Sequence, residues 1–488
     1  MAEIEATAPV QLKREMGMMD IVLFNIAAVL GPRWIAAAAH NGPSSLSLWV
    51  LAALGFFLPT ALIIVELSTR FPNEGGIYVW TKQAFGDFHG FVCGWCYWTY
   101  TMFYFPGLLL ASVSMSTYIG GTRWEYLNQS KPYLITFSLV LLCVALGMNI
   151  VGLKIGKWLQ NAGGIGTYVP LLIVVVIGFI VWMRQGSATH ITLANSMPVW
   201  NWDTVNFWSN IAFAFVGMEL VCTMSEEVKD PKKNFPKAIY ISGALIVIIY
   251  ILGTLAVMFM MSPDKVDPRS GVFQATTYGS VLIGLGFIGT ISALLVTVGN
   301  AGGVGSTVAG VARVPMMVGI DRYLPEFFGR IHPKWGTPWI SMLIQAGISS
   351  ILLVIFMIFS KDPANAYQML VDASVILYFV PFLYMYAAAI KLAYREGRLQ
   401  DEKAVLVPGG MFGIWFAGGI AFLVTIICIL VAVIPIADAD HPLNLVQFLD
   451  FMATVFVGCL GTVVIGLVLY WRGVRTKDLS AETGMNSA

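Results

Sequence analysis

The chain is divided into a dozen apolar runs of about 20 residues, and that run length decides most of what it can fold into. In hydrocarbon every backbone N–H and C=O needs a partner within the protein, so only helices and closed barrels cross a bilayer. A helix needs about 20 apolar residues to cross, whereas a barrel strand needs about ten of alternating polarity. The runs here are long and do not alternate. We therefore expect an all-α polytopic membrane protein. Only 11% of the 488 residues are charged, against about a quarter in a soluble domain, too few to cover a water-facing surface of this size.

The expected spans are 19–39, 46–68, 88–119, 132–151, 162–183 and 206–224, followed by 238–261, 279–303, 339–359, 368–391, 412–436 and 449–471. They divide the chain into an N-terminal segment 1–18, a ten-span core 19–391, two further spans within 412–471 and a C-terminal segment 472–488. The leader ahead of the first span lacks a small-residue cleavage pattern, so that span is expected to stay in place. Lys and Arg fix the orientation. With these spans, 21 of them fall on one side, 6 on the other, and Arg33 alone lies within a span. Both termini are thus expected in the cytoplasm, with the protein in the plasma or inner cell membrane.

Two spans break the apolar pattern. The first reads NIAAVLGPRWIAAAA, with Gly31-Pro32 followed by Arg33; the sixth reads NIAFAFVGMELVCTM, with Gly217 followed two residues later by Glu219. Both open on Asn-Ile-Ala, at Asn25 and at Asn210. They lie five spans apart, so repeats over about 19–184 and 206–391 would have opposite topology. Paired interrupted helices in inverted repeats point to a transporter's midplane site.

Glu219 is the sharpest single residue. A carboxylate at membrane depth costs several kcal/mol, which suits a proton carrier or the partner of an amine, although a structural ion pair or a protonated carboxyl bonded to backbone would satisfy the same chemistry. Arg33 suits a substrate carboxylate held bidentately or a guard of the outer vestibule, with a structural pair to Glu219 or snorkelling to the outer interface as the alternatives. Phe213, Tyr97, Tyr100, Tyr378 and Tyr384 are candidates for lining a path, with ordinary packing as the alternative for each.

Several function classes fall away. A net charge of +1 gives nucleic acid nothing to hold. Gly284-Leu-Gly286-Phe-Ile-Gly289 fits a dinucleotide pattern but follows no strand, and it reads as close helix packing within span 8, as does Gly299 with Gly303. Cys93-Gly-Trp-Cys96 lacks the setting of a redox dithiol. The five histidines are scattered without metal-site spacing, so neither a metal nor an organic cofactor is expected. No nucleophile–base constellation supports an enzyme.

Three blocks carry a family resemblance: VELSTRFPNEGGIYVWTKQAFG (Val65 to Gly86), AFVGMELVCTMSEEVKDPKKNFPKAI (Ala214 to Ile239) and IDRYLPEFFGRIHPKWGTP (Ile320 to Pro338). The chain resembles the amino acid–polyamine–organocation permease superfamily, nearest to the glutamate/GABA and arginine/agmatine antiporters. The resemblance implies a LeuT-like fold of two inverted five-helix repeats plus two C-terminal helices. It also implies a substrate held at the unwound middles of spans 1 and 6, here Ala28, Val29, Leu30, Gly31 and Arg33 with Phe213, Phe215, Val216 and Gly217. Glu219, Tyr97 and Tyr384 fall on gating and coupling positions, and Phe213 on the residue capping the substrate. The family's usual Gly-Ser-Gly aligns with Ala28-Val29-Leu30, so the hydroxyl contribution to carboxylate binding is gone. Thr167 stands near where some proton-coupled relatives carry a lysine.

The expected function is a secondary-active, alternating-access carrier of amino acids, amines or polyamines, a proton symporter or exchanger. The rival is a sodium-coupled symporter using Ser306 and Thr307, whose alternative is back-bonding within the helix. A channel or a transport-derived sensor is a more distant alternative.

Overall fold

A computed structural model describes residues 14–360, 363–395, 404–432 and 458–482. Apart from a single bridge between Met16 and Val228, every regular element among the described residues is helical. Among the described residues ten helices are long and apolar enough to cross a membrane, eleven if the bent pair Met18–Val29 and Pro32–His40 is one span. The sixth expected span is not among them, because it consists of a helix Trp202–Phe213 and a 3-10 turn Leu220–Glu227, each too short to qualify. We label these pieces 1a, 1b, 6a and 6b.

Both interruptions have local causes. Proline lacks an N–H and forces the residue before it out of the helical region. Leu30 (φ −72°, ψ 103°) and Gly31 (φ −110°, ψ 113°) are accordingly extended, Pro32 opens 1b, and the two halves bend by 42°. In span 6 the chain leaves the helix after Phe213, and Gly217 takes φ +116°, a conformation that a side chain would strain.

Some boundaries differ from expectation. The eighth span is not 279–303: one helix ends at Leu282, Gly284 turns the chain at φ +78°, and the span runs Phe287–Ile320. The GxGxxG stretch therefore sits at a helix junction rather than within a span. Arg313, expected in a loop, lies inside this helix and is buried. Gly303 does make a close approach, since a Cβ there would stand 2.7 Å from the Ala27 carbonyl oxygen of 1a. The last helix, Gly458–Glu482, extends beyond Trp471 into what was expected to be a tail. Residues 449–457 of the twelfth span, and 1–13 of the N-terminal segment, lie outside the described residues.

On the side where basic residues gather, a latch closes the bundle. Arg313 reaches Glu227 through Nε (2.8 Å) and Nη2 (2.7 Å) and stands 3.8 Å from Glu74. Glu74, in the loop after span 2, also accepts the Glu226 N–H at 3.0 Å. Gly75 donates to the Thr223 carbonyl at 2.9 Å, and the N–H groups of Glu15 and Met16 donate to the Glu227 carbonyl. One cation thus faces two buried carboxylates. Burial, then the neighbouring Glu227, pushes the Glu74 carboxyl well above its ordinary range, against the pull of Arg313.

The folded chain therefore binds a proton at Glu74 more tightly than the unfolded chain does, and stability from this group falls as pH rises above the ordinary value of 4.5. Glu74→Gln stays neutral and removes that loss. Thermal unfolding of the detergent-purified variant between pH 5 and 8 is expected to decline less with pH than that of wild type. Superimposable profiles would contradict the assignment.

Candidate functional site

Glu219 closes the interruption in span 6 and is 1% exposed. Its Oε1 accepts the Tyr97 hydroxyl at 2.9 Å and the Tyr378 hydroxyl in a short bond. Its Oε2 accepts the Gly217 N–H at 3.1 Å. No Lys or Arg among the described residues lies within 4 Å of it. Hydrogen bonds to a charged group are worth about 1.5–3 kcal/mol each, so three donors offset much of the burial without a counter-ion. The carboxylate is held, yet its charge is not cancelled.

Aromatic rings build the walls around it. Tyr378 stacks on Tyr100 at 3.8 Å and meets Phe213 edge-on at 5.9 Å. Phe213 in turn packs against Trp34 (5.8 Å), Phe379 (5.8 Å) and Tyr104 (6.4 Å). Between spans 1 and 6 these rings enclose a void of about 10 Å³, room for roughly one water. Ala28, Val29, Phe213, Val216 and Gly217 line it, together with Trp34, Tyr100, Thr307 and Tyr378. Nearly all of the lining side chains are buried.

The remaining expected residues lie elsewhere. Leu30 and Gly31 form the break in span 1 without lining the void. Phe215 turns away onto Phe57, Trp49 and Tyr250. Arg33 does not pair with Glu219. It lies over the rings of Trp34 (4.6 Å) and Tyr104 (5.3 Å), beside a closed crevice that it shares with Phe213. Tyr384, expected alongside Tyr97, contacts His89 instead (3.2 Å). It follows Tyr378 by six residues, which places it about 9 Å further along the helix and on another face. The Ser306 and Thr307 hydroxyls each donate one turn back, to the carbonyls of Gly302 (3.0 Å) and Gly303 (3.1 Å). Thr167 is buried, and its Oγ1 packs where a Gly299 side chain would be. Cys93 and Cys96 are free and buried within span 3.

Sequence reasoning missed Tyr250. From span 7 (Pro231–Met260) its hydroxyl stands 2.8 Å from the Val29 carbonyl and 3.0 Å from the Ala214 carbonyl, and it accepts the Gly31 N–H at 3.1 Å. One phenol thus caps both interruptions. Trp49 stacks on its ring at 4.3 Å and donates to Thr254 at 3.0 Å. A lone tyrosine in the aliphatic run LIVIIYILG was the available signal, because a buried phenol requires a partner.

Two interrupted helices around a buried acid, within a bundle of apolar helices, define a membrane carrier of small molecules. The chain belongs to the amino acid permease family, whose sequence model matches residues 16–465. An uncharacterized transporter of Legionella pneumophila is 30% identical over 87% of this chain and 90% of its own. A probable agmatine/putrescine antiporter of Lactococcus lactis, AguD, is 23% identical over 87% and 89%, and a serine/threonine exchanger of Bacillus subtilis, SteT, 26% over 70% and 77%. The solved structure of MhsT in complex with L-phenylalanine superposes with a TM-score of 0.64 at 12% identity, covering 86% of this chain and 99% of that one. The fold is LeuT-like, and the protein is an amino acid or amine transporter, not an enzyme.

Tyr250→Phe leaves the Gly31 N–H and two carbonyls without their partner, a loss of about 1–3 kcal/mol. Its thermal unfolding midpoint in detergent is expected several degrees below wild type. An unchanged midpoint would show that the two breaks are held by other means.

Proposed function

We propose that this protein is a secondary-active carrier of amino acids or related amines, working by alternating access as a proton-coupled symporter or exchanger. It resides in the cell membrane with both termini in the cytoplasm, the side favoured by the distribution of Lys and Arg. The relatives' names bracket the substrate class: agmatine and putrescine in one case, serine and threonine in the other.

The observation that carries this reading is the unneutralised Glu219 carboxylate at the break in span 6, gripped by Tyr97, Tyr378 and the Gly217 N–H. A substrate enters from outside between spans 1, 3, 6, 8 and 10, displaces the Phe213 ring and settles against the unwound backbone of spans 1 and 6. When a proton or a substrate amine takes up the Glu219 charge, the hydroxyl bonds of Tyr97 and Tyr378 weaken. Pieces 1a and 6b then swing away towards the cytoplasm, with Tyr384 lower on that route and the Glu74–Arg313–Glu227 latch as its outlet. Burial makes opening conditional on binding, because the charge must be compensated before the layer parts.

Glu219→Gln keeps the shape and removes the titratable charge. Reconstituted into proteoliposomes with amino acid and amine substrates, it is expected to lower the uptake rate at least about 10-fold, the worth of one charge-assisted bond. The pH dependence of the residual uptake between 5 and 8 should flatten. Wild-type rate together with a wild-type pH profile would remove Glu219 from the mechanism.

A further inference from the structure

Arg33 is a cation with nothing to neutralise it. Its side chain is 3% exposed, no carboxylate among the described residues lies within 4 Å, and its Nε is buried without a hydrogen-bond partner. The guanidinium lies on the ring faces of Trp34 and Tyr104, at 4.6 and 5.3 Å, and also hydrogen-bonds to Tyr104. The side chains acting on it electrostatically are the phenols of Tyr104, Tyr367 and Tyr250. It is also the second residue of 1b, where the positive end of the helix dipole repels a cation rather than stabilising it. Ring faces offset part of the burial of a charge, but an ion removed from water normally needs an opposite charge as well. Snorkelling does not explain the arrangement, because the side chain stays buried.

Glu219 has the opposite deficit. It is a buried anion with hydrogen-bond donors but no cation among the described residues. Phe213 stands between the two: its ring contacts Trp34 and Tyr104 on the Arg33 side and Tyr378 on the Glu219 side. The crevice beside Arg33 shares Phe213 with the central void. Displacing that one ring would join a site that lacks an anion to a site that lacks a cation.

We infer that Arg33 is the carboxylate-recognising residue of this transporter, and that its substrates are zwitterions, with the carboxylate on Arg33 and the amine towards Glu219. The inference rests on the proposed carrier function and narrows it from amino acids or amines to amino acids. A planar guanidinium takes a carboxylate through two parallel N–H···O bonds. Arg33 also excludes: a diamine placed with one end at Glu219 brings its second cation against a guanidinium that never deprotonates. Specificity therefore has an attractive part and a repulsive part in one side chain.

The test is counterflow in proteoliposomes with pairs that differ by one carboxylate: L-arginine and agmatine, L-lysine and cadaverine, L-serine and ethanolamine, L-phenylalanine and phenethylamine. In wild type the carboxylated member of at least one pair is expected to have a KM at least 10-fold below that of its amine. Arg33→Gln should raise that KM about 10- to 100-fold and change the amine's less than 3-fold, abolishing the discrimination. Arg33→Lys keeps the charge but loses the fork, so it should fall between the two; it also carries the test if Arg33→Gln does not fold. A wild type that prefers the amines, or an Arg33→Gln or Arg33→Lys variant that keeps wild-type discrimination, overturns the inference and leaves the carrier reading standing. So does an equal change in both members of a pair. Absence of saturable counterflow with all eight compounds overturns both.

Discussion

A helix that stops in the middle of a membrane leaves peptide groups with no water to turn to, and the rest of this structure depends on how that is resolved. Spans 1 and 6 both stop. The freed Val29 and Ala214 carbonyls and the Gly31 N–H converge on the Tyr250 hydroxyl, while the Gly217 N–H goes to Glu219. The three contacts to Tyr250 are long-range, so the breaks are stable only when spans 1, 6 and 7 are assembled. Trp49, stacked on Tyr250 and bonded to Thr254, fixes the ring that makes this possible. Irregular backbone at membrane depth is tolerated where it is buried in protein, and here one phenol does much of the burying. The same arrangement leaves the breaks able to move, since few bonds hold them.

The buried charges follow a gradient of compensation. Glu66 is fully served, by Arg70 at 3.2 Å and by the Val407 N–H at 2.8 Å. Arg313 faces two carboxyl groups, of which Glu74 is pushed towards its protonated form by burial and by Glu227. Glu219 has hydrogen-bond donors, and Arg33 has ring faces and a Tyr104 hydrogen bond. Neither Glu219 nor Arg33 is within 4 Å of an opposite charge among the described residues. A structural ion pair runs the other way, since its stability comes from completeness. Incomplete compensation is what an exchangeable ligand or proton requires.

What could be read from the sequence is what has a local cause. Pro32 and Gly217 impose their breaks on whatever helix contains them, and Glu219 stands out in an apolar run, so the paired interruptions were visible without coordinates. The choice between Tyr378 and Tyr384 was not, because both lie on one helix and its rotation about its own axis decides which reaches the carboxylate. Arg313 was placed in a loop because a charge ordinarily ends a span; its acids come from Glu74 and Glu227, remote in sequence. The end of span 8 moved for the same reason. Tyr250 was missed because its partners are backbone atoms, which carry no sequence signal.

The central claim is that the interruptions in spans 1 and 6 are closed together and open together. Hydrogen exchange at the Gly31 and Gly217 amides, followed by mass spectrometry in nanodiscs with and without a counterflow-active amino acid, tests it most directly. The expected result is slow exchange of both amides at rest and a matched acceleration of both with the substrate, while the flanking helices stay protected. Fast exchange of either amide at rest, or acceleration of one without the other, would contradict it.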